Sequence, residues 1–389
     1  MTIPLNNEVR QYFSESSDTN VNSLLTITSG LLEARSTNLN KVKLQMGRVR
    51  ERPDIEEDSH YKYILRFFDL SVDEKVKLIQ GILLICFLKL KQNKRKKIRH
   101  LVLDGLCWEH GKKKVHLMVL SILVCGVSIP IYWKELDKKG KSNFEERKKV
   151  INGAFKLFDL SGFILLADRE YDGIKWFKYL KSKGLDFIIR LKKNAYRKKI
   201  DTLSGAMTEG NNEQKARYRK LELLAYKGRY QHCGVSKKFF LDKLPVRFVI
   251  FKNPNNDPKE PLLYFISTLE NKKKIICNYP LRWKIETCFK NLQSNGFDLS
   301  KNGFIDSVKI ELIMAMVVFL YVCAFVEGTI RYKQFKKSDF KTYQDGTIHL
   351  AVSIFLKGLA VLINKFHNAR TFFEYINDNW NKQNLVLRV

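Results

Sequence analysis

Three acids stand out by their position. Asp104 closes the apolar run IRHLVL, Asp168 closes GFILLA, and Glu286 lies in the amphipathic segment YPLRWKIETCFKNLQ. A carboxylate at the point where a buried strand emerges into a loop stands where α/β sheets place their chemistry. Converging carboxylates give hard oxygen ligands to divalent cations. Two such ions can hold both the attacking and the leaving oxygen of a phosphodiester displacement. Taken singly, an Asp after a strand is more often a turn or helix cap, so the pair weighs more than either member. Glu170 and Asp172 are close rivals of Asp168. Asp168 is preferred because it ends the apolar run itself, whereas the other two fall where the next helix should begin and acids meet the helix dipole favourably.

Tyr279, Arg282, Glu286, Lys290 and Gln293 have helical spacing. At about 100° per residue they share an arc of about 80°, beside an apolar face of Ile285, Phe289 and Leu292. An Arg fork, a Lys point charge and a Tyr hydroxyl suit the phosphates of a nucleic-acid backbone. The plainer reading is a solvated face with an i,i+4 pair between Glu286 and Lys290. A second basic element, RLKKNAYRKK, brings Arg190, Lys192, Lys193, Arg197, Lys198 and Lys199 together without an acid. It directly follows a predicted strand and is expected to touch DNA. KQNKRKK, at 91–97, is either a further contact or a solubilising linker.

Composition supports a polyanionic partner. Lys and Arg number 70 against 40 Asp and Glu, a formal net charge of +30 over 389 residues. Seven cysteines without a CxxC pair argue against a zinc ribbon or a disulfide framework and fit a reducing interior. The only tight His/Cys pair, His232-Cys233, has nothing nearby to complete a ligand set. The start, MTIPLNNEVRQYF, shows neither a basic opening nor an apolar stretch, so no secretory signal and a cytoplasmic protein are expected. The longest apolar run, Leu312 to Val326, has 15 residues against the roughly 20 that span a bilayer. It is expected to be a buried core helix, unfavourably bracketed by Glu311 and Glu327, with no membrane partner.

The elements that position these residues follow from periodicity. Residues 1–96 read as a helical region, with VNSLLTITSGLLEA and EKVKLIQGILLICFLKLK separated by ERPDIEED. IRHLVLD, HLMVLSILV and VSIPIYW then read as a three-strand meander, the last two broken by Cys125-Gly126. A helix over 144–158, the strand GFILLAD, a helix closed by Gly184 and the strand LDFIIRL complete the order β-β-β-α-β-α-β. That order implies an α/β fold with a mixed sheet covered by helices, as in an RNase H-like nuclease core. The core is expected at 97–191 and 271–310, a β-rich insertion at 192–270, and a helical C-terminal region at 311–389.

The segment around Glu286 resembles the insertion-sequence transposases of the "type four" group, bacterial DDE enzymes with an RNase H-like core. Their signature is Tyr-x2-Arg-x3-Glu-x6-Lys. Tyr279, Arg282 and Glu286 fit it, and Gln293 stands where the Lys is expected. LVLDG, LLADREYDG and FIIRLKKN continue the resemblance in the same order, over about residues 97–300. EARSTNLNKV and YILRFF resemble segments of that family's N-terminal region, which implies that this region helps to hold transposon ends. The resemblance further implies that Asp104, Asp168 and Glu286 bind two Mg²⁺ ions, for which Mn²⁺ can substitute. By it, Tyr279, Arg282 and Lys290 would contact the DNA backbone, and a homodimer would act on double-stranded terminal repeats and target DNA. Related cut-and-paste enzymes stack a flipped base on an aromatic of the insertion, often Trp. None lies between 192 and 270, which leaves Tyr218, Tyr226 and Tyr230 open. Two other functions compete with a transposase: a decayed or domesticated DNA-binding protein, suggested by Gln293, and an RNase H-like nuclease without strand transfer.

Overall fold

The structure, a computed structural model, describes residues 5–91, 100–111, 113–136, 138, 140–203, 222, 225, 235–255, 257–332, 336, 339–342, 346, 348–366 and 368–380. The basic residues 92–97, Tyr218, Tyr226, Tyr230 and His232-Cys233 lie outside the described residues.

The chain opens with helices α1 (Asn7–Arg10), α2 (Asp18–Ala34), α3 (Leu39–Val49), α4 (Glu57–Phe68) and α5 (Val72–Lys91). The Ser17 and Asn38 side chains accept N–H groups at the starts of α2 and α3 that would otherwise lack partners. On α2, Val21, Leu24, Leu25, Leu31 and Leu32 are buried at helical spacing.

Strands β1 (His100–His110), β2 (Lys113–Val124) and β3 (Val127–Glu135) form the expected antiparallel meander. Cys125 and Gly126 join β2 to β3 with φ of 50° and 77°, the left-handed pair that a two-residue primed turn requires. Helix α6 (Phe144–Leu157) begins with a reciprocal capping box between Asn143 and Glu146. Then come β4 (Ile164–Ala167), α7 (Ile174–Ser182) and β5 (Asp186–Leu191). Both strands run parallel to β1, so β2 alone is reversed in the order β3-β2-β1-β4-β5. This is the mixed RNase H-like sheet.

Helix α8 (Lys193–Leu203) opens the insertion, and its strands β6 (Val235–Leu241), β7 (Leu244–Lys252) and β8 (Leu262–Ser267) follow. They do not form a separate sheet. β8 pairs antiparallel with β5, and β7 and β6 continue outward to make eight strands.

The chain continues through α9 (Lys272–Asn278), α10 (Lys284–Lys290), α11 (Ser307–Arg331), a small hairpin of β9 (Phe340–Thr342) and β10 (Ile348–Leu350), α12 (Ile354–Lys365) and α13 (Ala369–Asn379). α11 is long and apolar enough to cross a membrane, and its most apolar 18-residue window is wholly buried by the protein. It packs against α5, α12, α2 and β3, so helices from both ends of the chain share one core. Glu311 and Glu327, which the sequence sets unfavourably at its borders, are both buried. Glu311 accepts from Lys134 Nζ at 2.7 Å and from the Glu135 N–H at 3.1 Å, and its carbonyl accepts from Trp133 Nε1 at 3.2 Å. The long helix is thereby fastened to the end of β3.

Candidate active site

Leu103 of β1 and Ala167 of β4 are the last paired residues of these two parallel strands, and Asp104 and Asp168 come next on each. Residues in register on parallel neighbours point to one face and lie about 5 Å apart. Both carboxylates therefore open at the point where β4 leaves the sheet. The sequence suggests that Asp104 ends its strand. Instead β1 continues to His110, because β2 is long enough to pair with it throughout. Only β4 stops, and Asp168 Oδ1 accepts the Glu170 N–H at 2.8 Å as the chain turns away.

The dipole argument against Glu170 and Asp172 does not hold, since both precede the first residue of α7. Other partners occupy them. Glu170 Oε1 accepts from Ser142 Oγ at 3.0 Å, and Asp172 Oδ2 pairs with Lys199 Nζ at 2.8 Å.

Residues 279–295 are not one uniform α-helix. Tyr279–Trp283 is a 3₁₀ segment with Pro near its start, α10 follows, and Asn291–Asn295 is a π segment. Three residues per turn set Tyr279 and Arg282 in line, and both turn inward, 1% and 7% exposed. The single polar stripe is thus divided. Tyr279 packs on the Phe265 ring at 4.4 Å between centroids, Glu286 and Lys290 face solvent, and Gln293 Nε2 donates to the Cys107 carbonyl on β1 at 3.2 Å.

Arg282 joins the acids. Its Nη1 donates to Asp104 Oδ2 at 2.8 Å and its Nη2 to Glu286 Oε1 at 2.7 Å, while Asp104 Oδ1 takes the Gly105 N–H at 2.9 Å. Burial lifts the Asp104 carboxyl to about 6; Arg282 and the Gly105 N–H pull it down, and Asp168 and Glu286 push it up. Burial opposes the charge of Arg282, but Tyr279, Asp104 and Glu286 outweigh it and hold the guanidinium above its ordinary value. Burial raises the Tyr279 hydroxyl to about 12, against the pull of Arg282 and Arg190. That hydroxyl lies near Arg282 without a well-formed hydrogen bond, and Arg282 Nε is likewise buried and unpaired.

The basic run is less open than its sequence suggests. Arg190 pairs with Glu260, Arg197 with both oxygens of Glu222 at 3.0 and 3.1 Å, Lys193 with Glu222 at 3.5 Å, and Lys199 with Asp172. Lys192 and Lys198 are exposed. Glu222 also accepts from Tyr264 Oη at 2.9 Å and is 9% exposed, and Glu260 lies 3.6 Å from Arg169 as well. Sequence reasoning missed both acids, because each lies well over 20 residues from the cations it meets and no local pattern marks it.

Among the described residues, no three His, Cys, Asp or Glu side chains converge closely enough to enclose a metal ion. A guanidinium stands between two of the three acids. Their donor chemistry, carboxylate oxygen with one member destabilised by burial, fits a hard divalent cation.

An eight-stranded mixed sheet carries two acids beside the β1/β4 junction, and a third stands on the helix tied to it. The chain matches the family model "Transposase DDE domain" over residues 89–323, more than half its length and all three acids, and it belongs to that family. Domains of this family generally use divalent metals. Among solved structures, the chain is similar to the piggyBac transposase in its synaptic complex with hairpin DNA, at 11% identity and a TM-score of 0.44, covering 98% of this chain and 82% of that one. No curated protein matches significantly.

Proposed function

We propose that this transposase cleaves DNA at the ends of a mobile element and joins the freed ends to target DNA, as the insertion-sequence group it resembles does. The observation that carries this reading is the Arg282 bridge between Asp104 on β1 and Glu286 in the first turn of α10, next to Asp168 at the end of β4. It gathers on one side of the sheet three acids that lie far apart in the chain, all within the matched family region.

In this reading Asp104, Asp168 and Glu286 hold two Mg²⁺ ions, or Mn²⁺ in their place. Bound there, the ions would lower the pKa of water and neutralise charge on the transferred phosphate. The side chains supply the rest. β1 and β4 fix Asp104 and Asp168 on rigid backbone, and the Asp168 turn holds one carboxylate oxygen on the Glu170 N–H. Arg282 and Lys290 would meet the non-bridging oxygens of the backbone, Arg282 as a fork and Lys290 as a point charge. Lys192 and Lys198, exposed just past β5, would extend the track along the duplex. The helices of residues 1–96 would hold transposon ends, and two copies would act on paired ends.

The test incubates the protein with the terminal repeats of its own element and Mg²⁺ or Mn²⁺, and separates nicked from joined products. Asp168→Ala should lose both. Equal products from the two proteins would remove the catalytic assignment. Cleavage of unrelated duplexes without joining would favour a nuclease.

A further inference from the structure

We infer that Arg282 is a built-in counter-ion that occupies the acid cluster in the DNA-free protein and couples metal binding to DNA binding. The inference rests on the proposed metal-binding role of Asp104 and Glu286. Its basis is the side chain that lies between them. Arg282 contacts one oxygen of each carboxylate at 2.8 and 2.7 Å, and its side chain is 8% exposed. A guanidinium so placed supplies the positive charge that the acids need, and it takes up lone pairs that a cation would use.

The arrangement is incompletely satisfied. Arg282 Nε and the Tyr279 hydroxyl are buried donors without well-formed partners, and a buried donor left unpaired is destabilising. The two Nη groups already serve Asp104 and Glu286, so the acids leave Arg282 Nε without an acceptor that an anion entering the cleft could supply. A phosphodiester oxygen arriving at the cleft offers the guanidinium an anion in place of the carboxylates. Arg282 turns to the phosphate, Asp104 and Glu286 are released, and the cation binds them. No covalent bond changes; the two ion pairs of Arg282 are exchanged for its contact with the phosphate and for the cation on the two carboxylates.

Glu286 makes the exchange feasible. Its side chain is 57% exposed, and water screens an exposed pair so that it contributes little. Coupling of this kind is reciprocal, so DNA must tighten metal binding by the same factor by which metal tightens DNA binding.

The experiment titrates Mn²⁺ into the full chain and follows the free-ion electron paramagnetic resonance signal, with and without a short mixed-sequence duplex at low salt. No turnover is required. Wild type should bind Mn²⁺ weakly alone and roughly tenfold or more tightly with the duplex. Arg282→Gln should bind Mn²⁺ roughly tenfold more tightly than wild type without DNA and respond little to the duplex; tenfold corresponds to about 1.4 kcal/mol. Arg282→Lys, whose single ammonium cannot fork between two acids, should fall between them and serves if the Gln variant does not fold. The inference is overturned if the Arg282 variants bind Mn²⁺ no better than wild type without DNA, or if the duplex leaves wild-type affinity unchanged. Asp104→Asn separates the two layers: Mn²⁺ binding that survives it unaltered refutes the metal site itself, whereas its loss together with unresponsive Arg282 variants refutes only the coupling.

Discussion

Arg282 Nη1 stands 2.8 Å from Asp104 Oδ2, an ion pair between residues 178 positions apart. It fixes the third-acid helix to the first strand of the sheet. Replacing Asp104 by Asn keeps the shape and a neutral acceptor for Arg282 but removes an anionic ligand. Cleavage of end-containing DNA in Mg²⁺ should fall by roughly 10³-fold or more. The thermal midpoint should shift by no more than about 4 °C, since the guanidinium retains Glu286. A variant that unfolds outright would show that the pair is chiefly structural.

Gln293 occupies the position where the resembled signature has Lys, and here it bonds the backbone of β1 at Cys107. Gln293→Lys adds a cation beside the proposed phosphate track and loses a hydrogen bond worth about 1 kcal/mol. DNA should bind more tightly, with a plot of log affinity against log salt steeper by about one unit. An unchanged slope would place this position outside the DNA path.

Much of this site was legible in the sequence. Apolar runs marked β1 and β4, and the carboxylate that follows each run lies next to the last paired residues of the two strands. The helix period brought Arg282 and Glu286 onto neighbouring turns. The inward turn of Tyr279 and Arg282 was not legible, because it depends on a local change from 3.6 to three residues per turn. Nor were the partners of the basic run. The run carries no acid of its own; Glu260, between β7 and β8, reaches it when these strands fold back onto β5, and Glu222 is held there by Tyr264 of β8.

Those partners divide the run. Lys192 is exposed, so Lys192→Ala should weaken DNA binding evenly across sequences and lower the salt slope by about one unit, with no change in unfolding midpoint. Arg197→Ala should do the reverse. It removes a two-oxygen partner from the buried Glu222 carboxylate, which should cost about 1–3 kcal/mol of stability while the salt slope changes little. Denaturant titration together with a salt series on both variants distinguishes the two; equal slope changes would count against the division.

His60 gives stability a pH dependence. It is 1% exposed, and Arg50 Nη1, which can only donate, lies 3.1 Å from its Nδ1, so that nitrogen is the acceptor of a neutral ring. Burial and then the Arg50 charge hold His60 below its ordinary value of 6.5. A depressed histidine means that the unfolded chain takes up the proton first. Stability is therefore full above the unfolded value and declines as pH falls below it. His60→Gln should flatten the unfolding midpoint between pH 7 and 5.5 relative to wild type. A wild-type midpoint that rises on acidification through this range would contradict the assignment.

The crossing of α11 and α12 depends on two glycines at which the backbones meet. A Cβ on Gly358 would lie 1.8 Å from the Ala324 carbonyl oxygen and 2.6 Å from the Gly328 nitrogen, and one on Gly328 would lie 2.0 Å from the Ile354 carbonyl oxygen. Neither glycine has a positive φ, so close approach is the whole reason for it. Gly358→Ala gains about 1 kcal/mol of helix propensity. It also forces apart two backbones that cannot turn aside as a flexible side chain can, at a cost of about 3 kcal/mol or more. Destabilisation should win. The effect should reach the site, because the Tyr321 ring of α11 packs at a tilt on Phe355 of α12, 4.9 Å between centroids, and also meets Cys288 of α10, two residues from Glu286. Gly358→Ala should therefore lower both the denaturant midpoint and the rate of cleavage at saturating DNA, whereas Gly162→Ala, with nothing within 4 Å of its added Cβ but a φ of 78°, should lower stability alone. Full stability in the Gly358 variant would mean that the two helices do not cross as closely as the structure shows.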